Sequence, residues 1–257
     1  MNELEFLGAL QVELLRHREV GHDHRRHELF QASTVEALLS GAFDGDLTLA
    51  ELLEHGDLGL GTLNGLDGEL IVVDGRAWKA NLDCDLVEPP VAARTPYAVV
   101  VPFSPADPVR LDGPLDEPQL ERFLTDRLGE LTRPVAIRID GHFEQLHVRS
   151  VPRQKPPYPP LAEAIAHQHI RELTDLTGTV VGFCFPDALD GIELLGWHLH
   201  FASQDRTAGG HVLSARLHRG VAYIDNATDL HVELPPTIDA HHGGAVDQDA
   251  LRRMESE

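Results

Sequence analysis

The sequence predicts a mixed fold, α/β in the α+β sense, with a mainly antiparallel C-terminal third, and three patterns carry the prediction. Residues 56–80 alternate small and apolar side chains between Asp-Gly turns, residues 117–131 space leucines at helical intervals, and from Val135 onward the apolar period falls to two. Sheets and helices with one apolar face must bury it against a second layer, so two intimately packed layers are expected. A chain of 257 residues can build them as one large domain or as two smaller ones wrapped together.

The leader through Leu15 carries Leu4, Phe6, Leu7, Leu10, Val12 and Leu14, a loose fit to a helix with one apolar face. His17 to His27 is crowded with histidines and charges and reads as a solvated linker. Residues 1–28 are therefore expected to be an N-terminal extension, mobile or helical, with order beginning near Leu29. Ser33 or Thr34 can cap a helix through Leu39 that Gly41 ends, and Thr48 can cap a second that reaches Gly56. The glycines at 56, 59 and 61 lack the strand-to-helix setting of a phosphate-binding loop and suit close backbone packing instead. Strands should flank turns at Asp67-Gly68 and Asp74-Gly75, the last running from Arg76 to Ala80, which makes a meander.

Tyr97 to Val101 reads as a buried strand, Pro102 to Pro118 as an irregular connection, and Glu117 to Leu131 as a helix lying on a sheet. Val135 to Phe143 is expected to form a strand and a turn, with Glu144 to Val151 as the returning strand. Pro152 to Pro160 is too rich in proline for a sheet or helix interior, so a rigid loop should precede a helix starting near Leu161. Thr177 to Phe185, Gly191 to Phe201, His211 to Leu217 and Ala222 to Ile224 complete the expected strands.

Composition excludes several function classes. A formal net charge of −21, from 42 acidic against 21 basic residues, with no basic patch, argues against a nucleic-acid surface. No apolar run approaches the ~20 residues of a membrane span, and residues 1–28 have no cationic start before an apolar stretch, so neither a membrane protein nor a secretory signal is expected. Cytoplasmic location follows by default. A small anionic substrate stays compatible, because a buried arginine and a metal dominate the potential inside a pocket. Cys84 and Cys184, far apart and outside any C-x-x-C pattern, are expected to be reduced and buried.

Chemistry is concentrated in Gly196-Trp197-His198-Leu199-His200-Phe201, followed after a polar connector by Gly209-Gly210-His211-Val212. On a strand, the two-residue period places His198 and His200 on one face and Trp197, Leu199 and Phe201 on the other. If His211 joins them, three neutral imidazoles can hold a zinc ion and leave its fourth position open. With 16 histidines in the chain, a His-x-His pair also arises by chance, so a merely structural role is the competing reading.

Ten blocks of this sequence resemble the α-acetolactate decarboxylase family, in the family's order from about residue 29 to Pro235. They are Ser33-Thr34 with Ala37 to Gly41, Asp44-Gly45, Gly56 to Leu70, Arg94 to Tyr97, Ile137 to Gly141, Arg149 to Gln154, Pro157 to Leu161, Gly196 to Phe201, Asp205-Arg206, and Gly209 to Val212. The resemblance implies two closely packed lobes of mixed or antiparallel sheet with flanking helices, one over residues 29–134 and a metal-binding one over 135–235, and a tail over 236–257 that returns to the active site. It implies zinc on His198, His200 and His211, decarboxylation of (S)-2-acetolactate to (R)-acetoin and CO2, and a homodimer. It also implies polar partners at the metal: Glu69, Arg149 and a C-terminal glutamate, matched to Glu255 with Glu257 as the alternative register.

This chemistry needs such residues. Loss of CO2 from a 2-hydroxy-3-keto acid leaves its electrons as an enediolate, which a Lewis-acidic ion on the ketone and hydroxyl oxygens would stabilise without an organic cofactor. Arg149 suits the substrate carboxylate, or else a strand-edge salt bridge. Glu69 would relay a proton if buried, and is otherwise an exposed hairpin carboxylate. Glu255 would deliver a proton if the tail covers the pocket, and is otherwise a solvated end. Thr62 would face the substrate, or serve as a plain strand threonine.

Two other classes compete. A cupin-like metal-dependent oxygenase also uses His-x-His on a strand, but expects a glutamate shortly afterwards, where Ser203-Gln204-Asp205 offers none. Iron with oxygen uptake would favour it, and redox-inactive zinc a lyase. A non-enzymatic module would close its zinc with a fourth protein ligand. His231, His241 and His242 are left as structural or surface residues.

Overall fold

A computed structural model of the chain describes residues 27–234. The expectations for the leader before His27, for His241-His242 and for Glu255 and Glu257 lie outside those residues.

Capping chemistry sets the first elements. Strand β1 (Glu28–Ala32) leads to helix α1 (Val35–Leu39), where the Thr34 hydroxyl accepts from the Ala37 N–H and Gly41, at φ +96°, ends the turn. Helix α2 (Leu49–Leu52) is held by a reciprocal capping box between Thr48 and Glu51. It stops short of the expected Gly56, where the chain passes directly against Val101 and an added Cβ would lie 2.5 Å from the Val101 nitrogen.

The meander is as predicted: β2 (Leu58–Thr62), β3 (Glu69–Val73) and β4 (Arg76–Ala80), then a short β5 (Leu86–Val87) and β6 (Tyr97–Val101). Asp74 and Gly75 both adopt positive φ, 54° and 69°, the geometry of a two-residue hairpin that keeps the strand twist.

Several expectations are corrected. The proline-rich stretch contains a strand, β7 (Val109–Asp116), before helix α3 (Glu117–Leu128). Pro114 is tolerated because β7 is the edge of its sheet, where a missing N–H leaves no ladder bond unmade. Residues 135–150 form one strand, β8 (Val135–Ser150), with no turn at Gly141. That glycine serves close packing: a Cβ there would meet Leu217 Cδ1 at 2.6 Å and the Arg219 oxygen at 3.0 Å. Likewise Gly209–Asn226 is a single strand, β11, that absorbs the expected break as a bulge between Leu217 and Arg219. Helix α4 (Leu161–Ile165) follows the proline loop as expected, β9 (His169–Phe185) starts earlier than predicted, and β10 (Gly196–Ser203) starts later, after a 3-10 turn at Asp187–Leu189.

With β12 (Asp229–Glu233), these strands form two sheets among the described residues. The first is mixed, in the order β12-β1-β6-β2-β3-β4-β5, with β1 and β12 parallel. The second runs β10-β9-β8-β11-β7, antiparallel throughout, and β10 pairs back onto β11, closing four strands into a ring. It therefore draws β7 from before residue 135.

Leu58, Leu60, Ile71, Val73, Tyr97 and Val99 on the inner face of the first sheet pack against Ala136, Val181, Phe183 and Ala202 of the second. Helix α2 covers the outer face of the first sheet through Leu49 and Leu52, and α3 covers the second through Leu120 and Leu124. The segment before β10 adds a buried carboxyl that meets this interior. The Tyr97 hydroxyl donates to the Glu193 carboxyl at 2.5 Å, and burial pushes the Glu193 pKa up to about 8. Both cysteines are free and buried, as expected.

Candidate metal centre

His198 and His200 lie two residues apart on β10 and project from one face, while Trp197, Leu199 and Phe201 pack on the other with the α3 side of the sheet. The ladder brings in the rest. His200 is the cross-strand partner of His211, and His211 on its other side is the partner of Arg149 on β8. Directly opposed residues share a face, so register alone sets His200, His211 and Arg149 in a row, with His198 beside it. Gly210 permits the approach: at φ +155° it has no Cβ to strike the Arg149 carbonyl oxygen, which would lie at 2.5 Å.

The three imidazoles are buried, with ring centroids 5.0, 5.1 and 5.3 Å apart. One nitrogen from each lies within 4.8 Å of the other two, and the trio is the one such group of His, Cys, Asp or Glu among the described residues. Three nitrogen donors are the number that a catalytic zinc site takes from its protein.

The protonation states fit a metal. Burial, with Arg149 nearby, lowers the His198 pKa to about 3. Burial also drives His200 well below its usual value, and His198 and Arg149 add to the shift despite a backbone hydrogen bond that opposes it. Neutral imidazoles need lose no proton to bind a cation. His200 Nδ1–H donates to the Leu70 carbonyl at 2.8 Å, so Nε2 carries the lone pair, and that buried nitrogen has no hydrogen-bond partner among the described residues. An anchored ring with an unused lone pair facing two others is what a divalent cation requires.

The first sheet supplies the opposite wall. Glu69 begins β3 beside Leu70, is largely buried, and places Oε2 at 3.6 Å from His200 Nε2. Thr62, its ladder partner, is buried, with its hydroxyl donating to the Gly68 carbonyl at 2.8 Å. Arg149 is 3% exposed, and its Nη1 donates to Gln168 Oε1 at 3.1 Å. The described residues thus bring together His198, His200, His211, Arg149 and Glu69, with Thr62 next along the sheet. His231 stays apart on β12, where it stacks on Phe30. Two contributors carry no signal in the sequence. The Leu70 carbonyl acts through its backbone, and Gln168 stands in a polar run ahead of β9.

The family model described as alpha-acetolactate decarboxylase matches residues 29–243. A relative of that name from Methylococcus capsulatus is 40% identical over 232 residues, covering 90% of this chain and 87% of its own. Another from Methanosarcina mazei is 37% identical over 231 residues, covering 88% and 80%. The crystal structure of alpha-acetolactate decarboxylase from Bacillus subtilis strain 168 superposes with a TM-score of 0.83 at 33% identity, covering 89% of this chain and 98% of that one.

Proposed function

Because this chain belongs to the alpha-acetolactate decarboxylase family, we propose that it is a zinc-dependent carboxy-lyase converting (S)-2-acetolactate to (R)-acetoin and CO2. The observation that carries the reading is the buried trio of imidazoles with a guanidinium one ladder position away.

His198, His200 and His211 would hold the ion, which when bound supplies a Lewis acid for the negative charge left on the substrate's ketone oxygen as CO2 departs. Arg149 binds and orients the substrate carboxylate through paired charged hydrogen bonds. Leu70, through its carbonyl, fixes the tautomer and tilt of the His200 ring. Glu69, whose carboxylate lies beside His200, takes the proton of the substrate hydroxyl and returns it once CO2 has left, and the proton that replaces CO2 on the enediolate carbon is drawn ultimately from solvent. Glu255, or Glu257 in the other register, is the second candidate for the final proton on a tail folded over the pocket. Thr62 lines the substrate side. Burial of the site excludes water that would compete for these charges. On the family resemblance we extend the reading to a homodimer working in the cytoplasm, testable by sedimentation and cell fractionation.

The decisive experiment follows CO2 and acetoin from racemic 2-acetolactate with and without a chelator. Release of both, loss on chelation and recovery with zinc are expected. Full activity in metal-free protein, or iron-dependent oxygen uptake in place of CO2 release, would overturn the proposal.

A further inference from the structure

The place of the Glu69 carboxylate over the histidines depends on how two sheets meet, since Glu69 belongs to one and the trio to the other. Whatever its side chain touches, its backbone sets where the carboxylate starts from. Two hydrogen bonds from the second sheet reach the backbone of the first at this level. His200 Nδ1–H donates to the Leu70 carbonyl at 2.8 Å, and the hydroxyl of Ser150, next to Arg149 on β8, donates to the Ala80 carbonyl at 3.1 Å. Leu70 follows Glu69 on β3, and Ala80 is the cross-strand partner of Glu69 on β4. The backbone at Glu69 is thus tied to the second sheet through its neighbour and through its partner.

The residue type at 150 points the same way. Ser150 is wholly buried, with apolar Val148 and Val151 close to it in the chain. A buried hydroxyl costs free energy unless it is bonded, whereas alanine there would bury no polar group. This hydroxyl engages a main-chain oxygen of the other sheet at the position opposite Glu69. Other bonds cross farther along: the Gly209 N–H donates to the Cys84 carbonyl at 3.0 Å and the Leu86 N–H to the Thr207 carbonyl at 3.1 Å. Those hold the segment after β4.

We propose that Ser150 is a positioning residue for the chemical step, its hydroxyl holding the β3–β4 ribbon on the second sheet so that the Glu69 carboxylate stands at the histidine trio. The inference rests on the decarboxylase reading above and on the proton-transfer role given there to Glu69. Loosening Ala80 displaces Glu69 but leaves Arg149 and the three histidines on their own sheet, so turnover suffers and substrate capture does not.

The test uses Ser150→Ala and Ser150→Cys in the full chain loaded with zinc, compared with wild type at equal zinc content. In Ser150→Ala, kcat for acetolactate should fall about tenfold or more while KM stays within about threefold. Ser150→Cys keeps most of the volume with a weaker donor, should fall in between, and carries the test if the alanine variant does not fold. A double-mutant cycle separates this role from a merely structural one: in a Glu69→Gln background, Ser150→Ala should change kcat by less than about twofold. Wild-type kcat in a folded, zinc-replete variant, or the same loss with and without the Glu69 carboxylate, would overturn the proposal. If wild type itself releases no CO2 from acetolactate, the decarboxylase reading fails; an active wild type that Glu69→Gln slows and the Ser150 variants do not sinks only the role of Ser150.

Discussion

Replacing Glu193 by glutamine should flatten part of the pH dependence of stability. The carboxyl is fully buried beside Tyr97, and burial raises its pKa from 4.5 to about 8, even though hydrogen bonds from the Tyr97 hydroxyl and the Leu194 N–H pull the other way. In that window the folded protein holds a proton that the unfolded chain has released, so stability falls as pH rises. The contribution is fully present below about pH 4.5 and is lost progressively up to about pH 8. Each unit corresponds to about 1.4 kcal/mol, so between pH 5 and pH 7 wild type should lose about 3 kcal/mol through this residue. Glutamine has no proton to give up and should lose none. Urea unfolding at intervals from pH 5 to 8 measures both proteins, and subtracting one curve from the other cancels the carboxylates and histidines they share. The difference should fall by about 1.4 kcal/mol per unit. Parallel curves would refute the reasoning, because Glu193 would then ionise as readily in the folded protein as in the unfolded chain.

Four further outcomes are expected. His211→Ala should lower bound zinc well below one per chain and cut CO2 release at least about 100-fold, as metal analysis alongside the assay will show. Arg149→Lys keeps the charge and loses the paired geometry, so KM should rise about tenfold or more with zinc content unchanged. Gly141→Val places a branched side chain where even a Cβ would lie 2.6 Å from Leu217 Cδ1, and should lower unfolding free energy by about 1–3 kcal/mol in urea. Deleting residues 1–26 should leave kcat and KM within about twofold, since His198, His200, His211, Arg149 and Glu69 all come from later strands; a large loss would tie the leader to turnover.

Much of this arrangement was legible in the sequence where local chemistry decides it. Thr34 and Thr48 announce their helices because a cap is a contact within four residues, and Asp74-Gly75 announces its hairpin because few residues accept two positive φ angles in succession. The alternation in Gly196 to Phe201 gave the faces of His198 and His200. What was not legible depends on distant neighbours. Gly141 reads as a turn until β11 is seen lying against it, Pro114 reads as a breaker until β7 proves to be an edge, and the bulge after Leu217 looks like the end of a strand. The ring partner of His200 is a main-chain carbonyl of the other sheet, which no side-chain pattern encodes. The meeting of Glu69 with the histidines follows from how two sheets stack, a relation that sequence spacing does not specify.

The hairpin between β10 and β11 has a consequence for how the protein tolerates change. Its connector, residues 204–208, sets which residue of β11 faces His200. One amino acid added or removed there, if passed on to the ladder, would rotate His211 to the far side of the strand, away from both His200 and Arg149. The length of this five-residue link is therefore tied to the metal site in a way that the identity of its residues is not.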